Sequence, residues 1–441
     1  MNISYTFCFE VILVIVNILF WLGPFLISIR KGIFNTLHPQ FITPLWIVYF
    51  ILNTMIQNWF PWMGGTEHGI LKTTSEGIAN NPNYLIMPLI IVAFCAPFYH
   101  IGVRLFCGSI VNSSSERTQL STITQVIPKG QKLPFLFLSF VISGVVWMPN
   151  YFIPNSDFGT FWTYPLSMTN AILPFMIFCV SKPVGLLSFG FSVASALVMR
   201  SKASFLYPLL SIAFYYFFFK FSFSRLKSWV IFFIIISLSV VALSFGFGSD
   251  ARRLLHRDYA FESFAALVNR APNSYFGSAE YLLSGVSNGP FANWTLEEIK
   301  AGIPTILYPN KRFIVNPAKM VSQQFLPDDY IILPNAYFNR FLVFAGYYDF
   351  GIMGAFISAL IFGALYGWFW MKTKRKILKS GYLWPLFLYL PIPTIATYFV
   401  ACGGPNYGFI NALVPAGVIF IIMIVTGFLM QAAVNCRRYY I

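Results

Sequence analysis

The chain reads as an all-α polytopic integral membrane protein with about eleven transmembrane helices and one long helical loop outside the membrane. Three observations carry this reading. Of the residues, 57% are hydrophobic and 19% aromatic, and only 10% are charged, where a soluble chain carries about 25%. The apolar residues gather into runs of span length. Lysines and arginines stand in short clusters beside those runs, as topology signals do. That placement also removes the nucleic-acid-binding reading that a net charge of +15 invites.

The runs lie at approximately 7–29, 41–60, 84–106, 133–153, 160–181, 183–199, 203–222, 228–247, 350–371, 383–402 and 411–434. They divide the chain into an N-terminal bundle of about eight spans over 1–247, a polar interval over 248–335, and about three C-terminal spans over 336–441. The first run has no basic segment before it and no small-residue cleavage site, so a retained span is expected rather than a removed signal peptide. No repeat of fixed period is visible. Cys8, Cys95, Cys107, Cys179, Cys402 and Cys436 contain no CxxC pair and fall mostly in or beside apolar runs. That pattern predicts neither a disulfide framework nor a zinc site.

Basic residues set the orientation. Arg30 and Lys31 follow the first run, Arg104 ends the third, and Arg117, Lys129 and Lys132 lie between it and the fourth. Lys182 separates the fifth and sixth, and Lys220, Arg225 and Lys227 surround the gap between the seventh and eighth. Lys372, Lys374, Arg375, Lys376 and Lys379 follow the ninth, and Arg437 and Arg438 the last. With eleven spans all of these fall on one side, which the excess of Lys and Arg makes cytoplasmic. The N-terminus is then outside, the C-terminus inside, and 61–83, 154–159, 248–335 and 403–410 face outward. Arg200 and Lys202 break the pattern, because they fall on the outer side. A different span count on either side of them or a snorkelling pair at a helix end would explain them; so would a task at the outer interface.

The interval 248–335 mixes cations, carboxylates and turns. Leu254, Leu255, Phe261, Phe264, Ala265 and Val268 recur near helical spacing, so an amphipathic helix on the membrane surface is expected, with Arg252, Arg253, His256, Arg257 and Arg270 on its polar side. Interfacial helices also carry arginines simply to meet anionic headgroups. Thr295 followed by Glu298 fits a capping box and starts a second helix near Leu296; Pro304 ends it near Gly302. Lys311 and Arg312 follow a Tyr-Pro-Asn turn, and the chain returns to the membrane through Arg340 and Asp349. Eight lysines and arginines balance eight aspartates and glutamates across the interval. A uniformly basic adhesive surface does not have that balance; a site with several cations and a few carboxylates does. Arginine suits a diphosphate because its planar fork donates paired hydrogen bonds and keeps its charge.

The order of features, a long outer loop with Ile303-Pro304 and Pro309-Asn310-Lys311, then a tyrosine-containing stretch, then Phe350-Gly351-x-x-Gly354 opening the next span, resembles the O-antigen and capsule polymerases of the Wzy type. The segment around Arg200 also looks like the arginine that starts a span in that family. The resemblance covers residues 190–365 in ordered features and the rest in hydropathy alone. A lysine before Arg312 departs from the pattern and leaves open which of the two corresponds.

The resemblance implies a membrane-glycosyltransferase-like fold with the long loop in the periplasm, no cofactor, no metal and no nucleotide sugar. Its donor and acceptor would both be undecaprenyl-diphosphate-linked oligosaccharides, the lipid bilayer its setting and a chain-length regulator a further partner. Arg200, Lys202, Arg252 and Arg253 are then the first candidates for diphosphate contact, with Arg257, Arg270, Lys311, Arg312 and Arg340 as further cations. His256 is the candidate base, since neutral imidazole is available near neutral pH, with Glu262 and Glu280 as further carboxylate candidates. Two other readings remain at this point: an O-antigen ligase, and a flippase or transporter of lipid-linked oligosaccharides. A transporter would place charges within many spans; here Glu10 and His100 are the obvious ionisable groups inside runs.

Overall fold

The computed structural model describes residues 2–30, 38–59, 86–107, 123, 125–152, 172–198, 230, 346–389 and 405–439. Among these every regular element is a helix and none is a strand. In order they are α1 (Asn2–Arg30), α2 (Pro39–Trp59), α3 (Ile86–Cys107), a 3-10 turn (Lys129–Gln131), α4 (Lys132–Phe152), α5 (Leu173–Val180), α6 (Lys182–Val198), α7 (Tyr347–Ser380), α8 (Trp384–Tyr389) and α9 (Pro405–Tyr439). Helices satisfy their own backbone groups, which is what a chain without surrounding water requires.

Among the described residues, four segments are long and apolar enough to cross a membrane: Thr6–Ile27, Ile86–Cys107, Phe350–Ser380 and Ala416–Cys436. Their surroundings fit that role. Met353 and Phe428 are each 68% exposed, and Leu105 is 66% exposed. Each such side chain forgoes about 1.5–3 kcal/mol of burial if water surrounds it, and nothing if hydrocarbon does. The chain is therefore a helical protein suited to a membrane environment.

One compact unit gathers α1, α2, α3, α7 as far as Trp370 and the first residues of α9. His38 caps α2, its carbonyl accepting from the Phe41 and Ile42 N–H groups at 2.8 and 3.1 Å, while Pro39 supplies a first helical position that needs no N–H partner. Polar side chains tie the helices together through backbone carbonyls. Asn17 of α1 donates to Leu89 of α3 at 3.0 Å, the Trp21 indole to Val92 at 3.2 Å, and the Tyr99 hydroxyl to Pro39 at 2.9 Å. Helix α3 meets α7 through glycine. Gly363 lies directly on the Tyr99 carbonyl, Gly102 on the Leu360 carbonyl, and a Cβ at Gly367 would stand 2.7 Å from the Val103 carbonyl oxygen. Gly363 and Gly367 are four residues apart, the spacing that lets membrane helices approach closely. Phe98 and Phe356 stack beside this contact at 4.7 Å.

The other unit holds the 3-10 turn, α4, α5, α6, the remainder of α7, α8 and most of α9. Ser181 adopts an extended conformation between α5 and α6, and Gly185 allows the two backbones to touch at Phe178. Helices α4 and α6 pack with Phe140 against Phe191, and α5 meets α8 through Phe175 and Phe387.

The helix boundaries follow the expected apolar runs closely for α1, α2, α3, α4 and α6. At α7 they differ: the ninth run is expected to stop near residue 371, yet the helix continues through the lysines to Ser380. It stops at Gly381, whose φ of 69° reverses the chain while its N–H donates to Ile377 at 2.9 Å. Hydropathy marks where lipid ends, and glycine marks where the helix does.

Candidate functional site

The best-defined feature within the segment that carries the family resemblance is the head of α7. Tyr347 begins it, and the Phe350 N–H still donates to the Gly346 carbonyl at 3.0 Å. The helix then breaks: Phe350 takes φ −136° and ψ 16°, and Gly351 takes φ 63° and ψ −147°. Only glycine holds that second conformation readily. The break folds the first turn back so that Gly346 touches Gly354 and the side chain of Ser358, which any larger residue at 346 or 354 would prevent. Past the break the apolar helix starts afresh, with N–H groups that favour negative charge at its head. Burial pushes the Tyr347 phenol above its ordinary pKa.

A second feature is a buried acid. Glu10 of α1 is 4% exposed and accepts a hydrogen bond from the Trp59 indole at 2.8 Å. Phe7 meets the same indole edge-on at 5.3 Å. An ionisable group inside an apolar helix is costly and usually serves a task.

A third feature is the polar cluster beside the start of α2. His100 donates through Nε2 to the carbonyls of Phe20 and Trp21 at 3.2 and 3.0 Å, and its ring lies tilted to Trp21 and edge-on to Tyr99. His38 accepts from the Gln40 N–H at 3.1 Å and meets Trp370 edge-on. Gln40 and Tyr366 are buried with side-chain polar atoms that have no hydrogen-bond partner.

The sequence-based candidates lie elsewhere. His256, Glu262 and Glu280, and the cations Arg200, Lys202, Arg252, Arg253, Arg257, Arg270, Lys311, Arg312 and Arg340, all fall outside the described residues. Of the resemblance motifs, Phe350-Gly351-x-x-Gly354 is described and Ile303-Pro304 and Pro309-Asn310-Lys311 are not. Among the described residues no cluster of His, Cys, Asp and Glu could hold a metal, and Cys8, Cys95, Cys107, Cys179 and Cys436 are free thiols. Trp59 as the partner of Glu10 escaped sequence reasoning, because nothing in the spacing of α1 and α2 sets their register. The Gly363-x-x-x-Gly367 contact also escaped it, although that spacing was itself a readable signal. No protein-family model, no curated protein and no solved structure matches the chain.

Proposed function

We propose that the chain is a polymerase of lipid-linked oligosaccharide repeat units for O-antigen or capsule, acting at the outer face of the bacterial inner membrane. In this reading about eleven spans cross the membrane, the N-terminus is periplasmic, the C-terminus is cytoplasmic, and residues 248–335 fold over the outer ends of the helices beside Arg200 and Lys202. The observation that carries it is the order of motifs from Arg200 through Ile303-Pro304 and Pro309-Asn310-Lys311 to Phe350-Gly351-x-x-Gly354. It is supported by the backbone break at Phe350 and Gly351, a conformation that gives the glycine of that last motif a physical reason.

The reaction transfers the growing glycan from one undecaprenyl diphosphate to the non-reducing end of a fresh lipid-linked repeat unit. The bond between sugar C1 and the phosphate oxygen breaks, and its electron pair leaves with the diphosphate. The acceptor hydroxyl oxygen bonds to C1, and its proton passes to a base. The leaving group is already a stabilised anion, so the protein has to neutralise it and activate the acceptor. Arg200, Lys202, Arg252 and Arg253 are assigned to the diphosphates, with Arg257, Arg270, Lys311, Arg312 and Arg340 supporting them. His256 is assigned as base, with Glu262 and Glu280 as the carboxylate alternatives.

The test is a deletion strain complemented with variants, read as gel banding of surface polysaccharide. Deletion should leave a single repeat unit on the lipid core; loss of every repeat unit would instead indicate a ligase, and undiminished polymer would end the proposal. Arg200→Ala and Arg253→Ala should each abolish polymer with membrane expression unchanged. Normal polymer length and amount from His256→Ala would remove the base assignment.

A further inference from the structure

Helix α7 changes character along one face. Ile357, Ile361 and Trp368 are large apolar side chains exposed on its surface. Continuing at the same three- and four-residue steps, the next positions are Lys372, Arg375, Lys376 and Lys379, and all of these are exposed. Thr373, Lys374 and Ile377 are buried against the protein instead. A face that meets lipid tails thus runs without a turn into a row of cations. At a rise of 1.5 Å per residue, the first cation stands about 6 Å beyond Trp368 and the last about 16 Å. A headgroup layer is roughly 5–8 Å deep on each side of the hydrocarbon, so the row starts within that layer beyond a tryptophan of the kind that marks the interface, and the long side chains farther along can snorkel back to the phosphates.

More cations join this end of the helix. The chain reverses at Gly381, and the Leu383 and Trp384 N–H groups donate to the Gln125 and Val126 carbonyls, both at 2.9 Å. That pairing lays the segment leading to Lys129 and Lys132, both exposed, beside the turn after α7. Lys376 is held over the Phe420 ring of α9 at 5.8 Å from its centroid. No aspartate or glutamate occurs among the described residues of 125–152, 172–198, 371–389 or 411–439.

We propose that this cationic face, Arg375, Lys376 and Lys379 with Lys129 and Lys132, is a docking surface for anionic phospholipid headgroups in the leaflet where the C-terminal end of α7 emerges. Phosphates are the complementary charge, and continuity with the apolar face selects a lipid over a soluble partner. The surface goes beyond the proposed reaction, since it involves none of the residues assigned to the diphosphates.

The full-length protein in nanodiscs, with phosphatidylglycerol competing against phosphatidylcholine, tests this by native mass spectrometry of the lipids retained. The wild type should retain phosphatidylglycerol preferentially, and added salt should reduce the preference. Each cation removed should lower it about fivefold, so Arg375→Gln/Lys376→Gln/Lys379→Gln together should lower it on the order of a hundredfold. The charge-preserving Arg375→Lys/Lys376→Arg/Lys379→Arg should keep it, as should wild-type behaviour at low salt. If the triple Gln variant does not fold, the single Lys379→Gln variant at the last exposed turn carries the same test. No preference in the wild type, or an equal preference in the neutralised variants, overturns the proposal. So does equal loss in the charge-preserving variant.

Discussion

Glu10 and Trp59 show what a single polar pair does inside an apolar fold. The indole N–H and the carboxylate are joined at 2.8 Å with the acid almost fully buried. Removing one partner strands the other, and a buried donor left without an acceptor costs about 1–3 kcal/mol. Glu10→Ala should therefore lower the stability of the detergent-solubilised protein by about that amount, whereas Glu10→Gln retains a carbonyl for the indole and should lose less. Thermal unfolding of the two variants beside Trp59→Phe measures it; equal losses in Glu10→Ala and Glu10→Gln would show that the negative charge, and not the acceptor, is what the site requires. Glu10 and His100 stand out in the sequence as ionisable groups inside apolar runs. Their partners do not, because the carbonyls of Phe20 and Trp21 and the indole of Trp59 are brought near by packing rather than by spacing.

Helix α7 contains both kinds of glycine that matter in an apolar helix, and they respond differently to substitution. At Gly363 the constraint is space, since any Cβ meets the Tyr99 carbonyl of α3. Gly363→Ala should cost about 1–3 kcal/mol through overpacking. Gly23 of α1 has open space at the same point, so Gly23→Ala should be neutral or stabilise by up to about 1 kcal/mol from helix propensity. At Gly351 the constraint is backbone, with φ at 63° and no atom near the missing Cβ. Gly351→Ala should cost about 1–3 kcal/mol as strain, and Gly351→Asn no less, since a ψ of −147° lies outside the left-handed helical region that asparagine tolerates. Unfolding temperatures of the four variants separate the causes: a loss at Gly363→Ala matched by Gly23→Ala would remove the close-contact explanation. The element boundaries were largely legible, because apolar runs define α1 to α3. The extension of α7 was not, because Lys372 ends the apolar character nine residues before Gly381 ends the helix.

At the scale of the whole molecule, the apolar helices and the basic clusters lead to one topology with consequences at every loop. The described helices are membrane-like, yet the chemistry assigned to His256 and the arginines rests on their standing outside, and charge placement is the argument for that. That argument rests on lysines at 372–379 and arginines at 437–438, which are numerous and local. The proposal that Arg200 faces the 248–335 interval rests on topology alone, because residues far apart in sequence meet only through tertiary folding. Orientation can be measured directly by fusing a reporter active only in the periplasm, and one fluorescent only in the cytoplasm, at successive loops. Fusions after residues 70, 280 and 406 should give periplasmic activity, and fusions after 120, 226, 376 and 441 should give cytoplasmic fluorescence. The decisive position is 201: the eleven-span arrangement requires periplasmic activity there despite Arg200 and Lys202, against the preference of cations for the cytoplasm. Cytoplasmic fluorescence at 201 with periplasmic activity at 280 would change the number of spans between them and take Arg200 away from the diphosphates. Periplasmic activity at both would leave two cations on the outer face, where the cost of holding them against their preference is best explained by a bound anion.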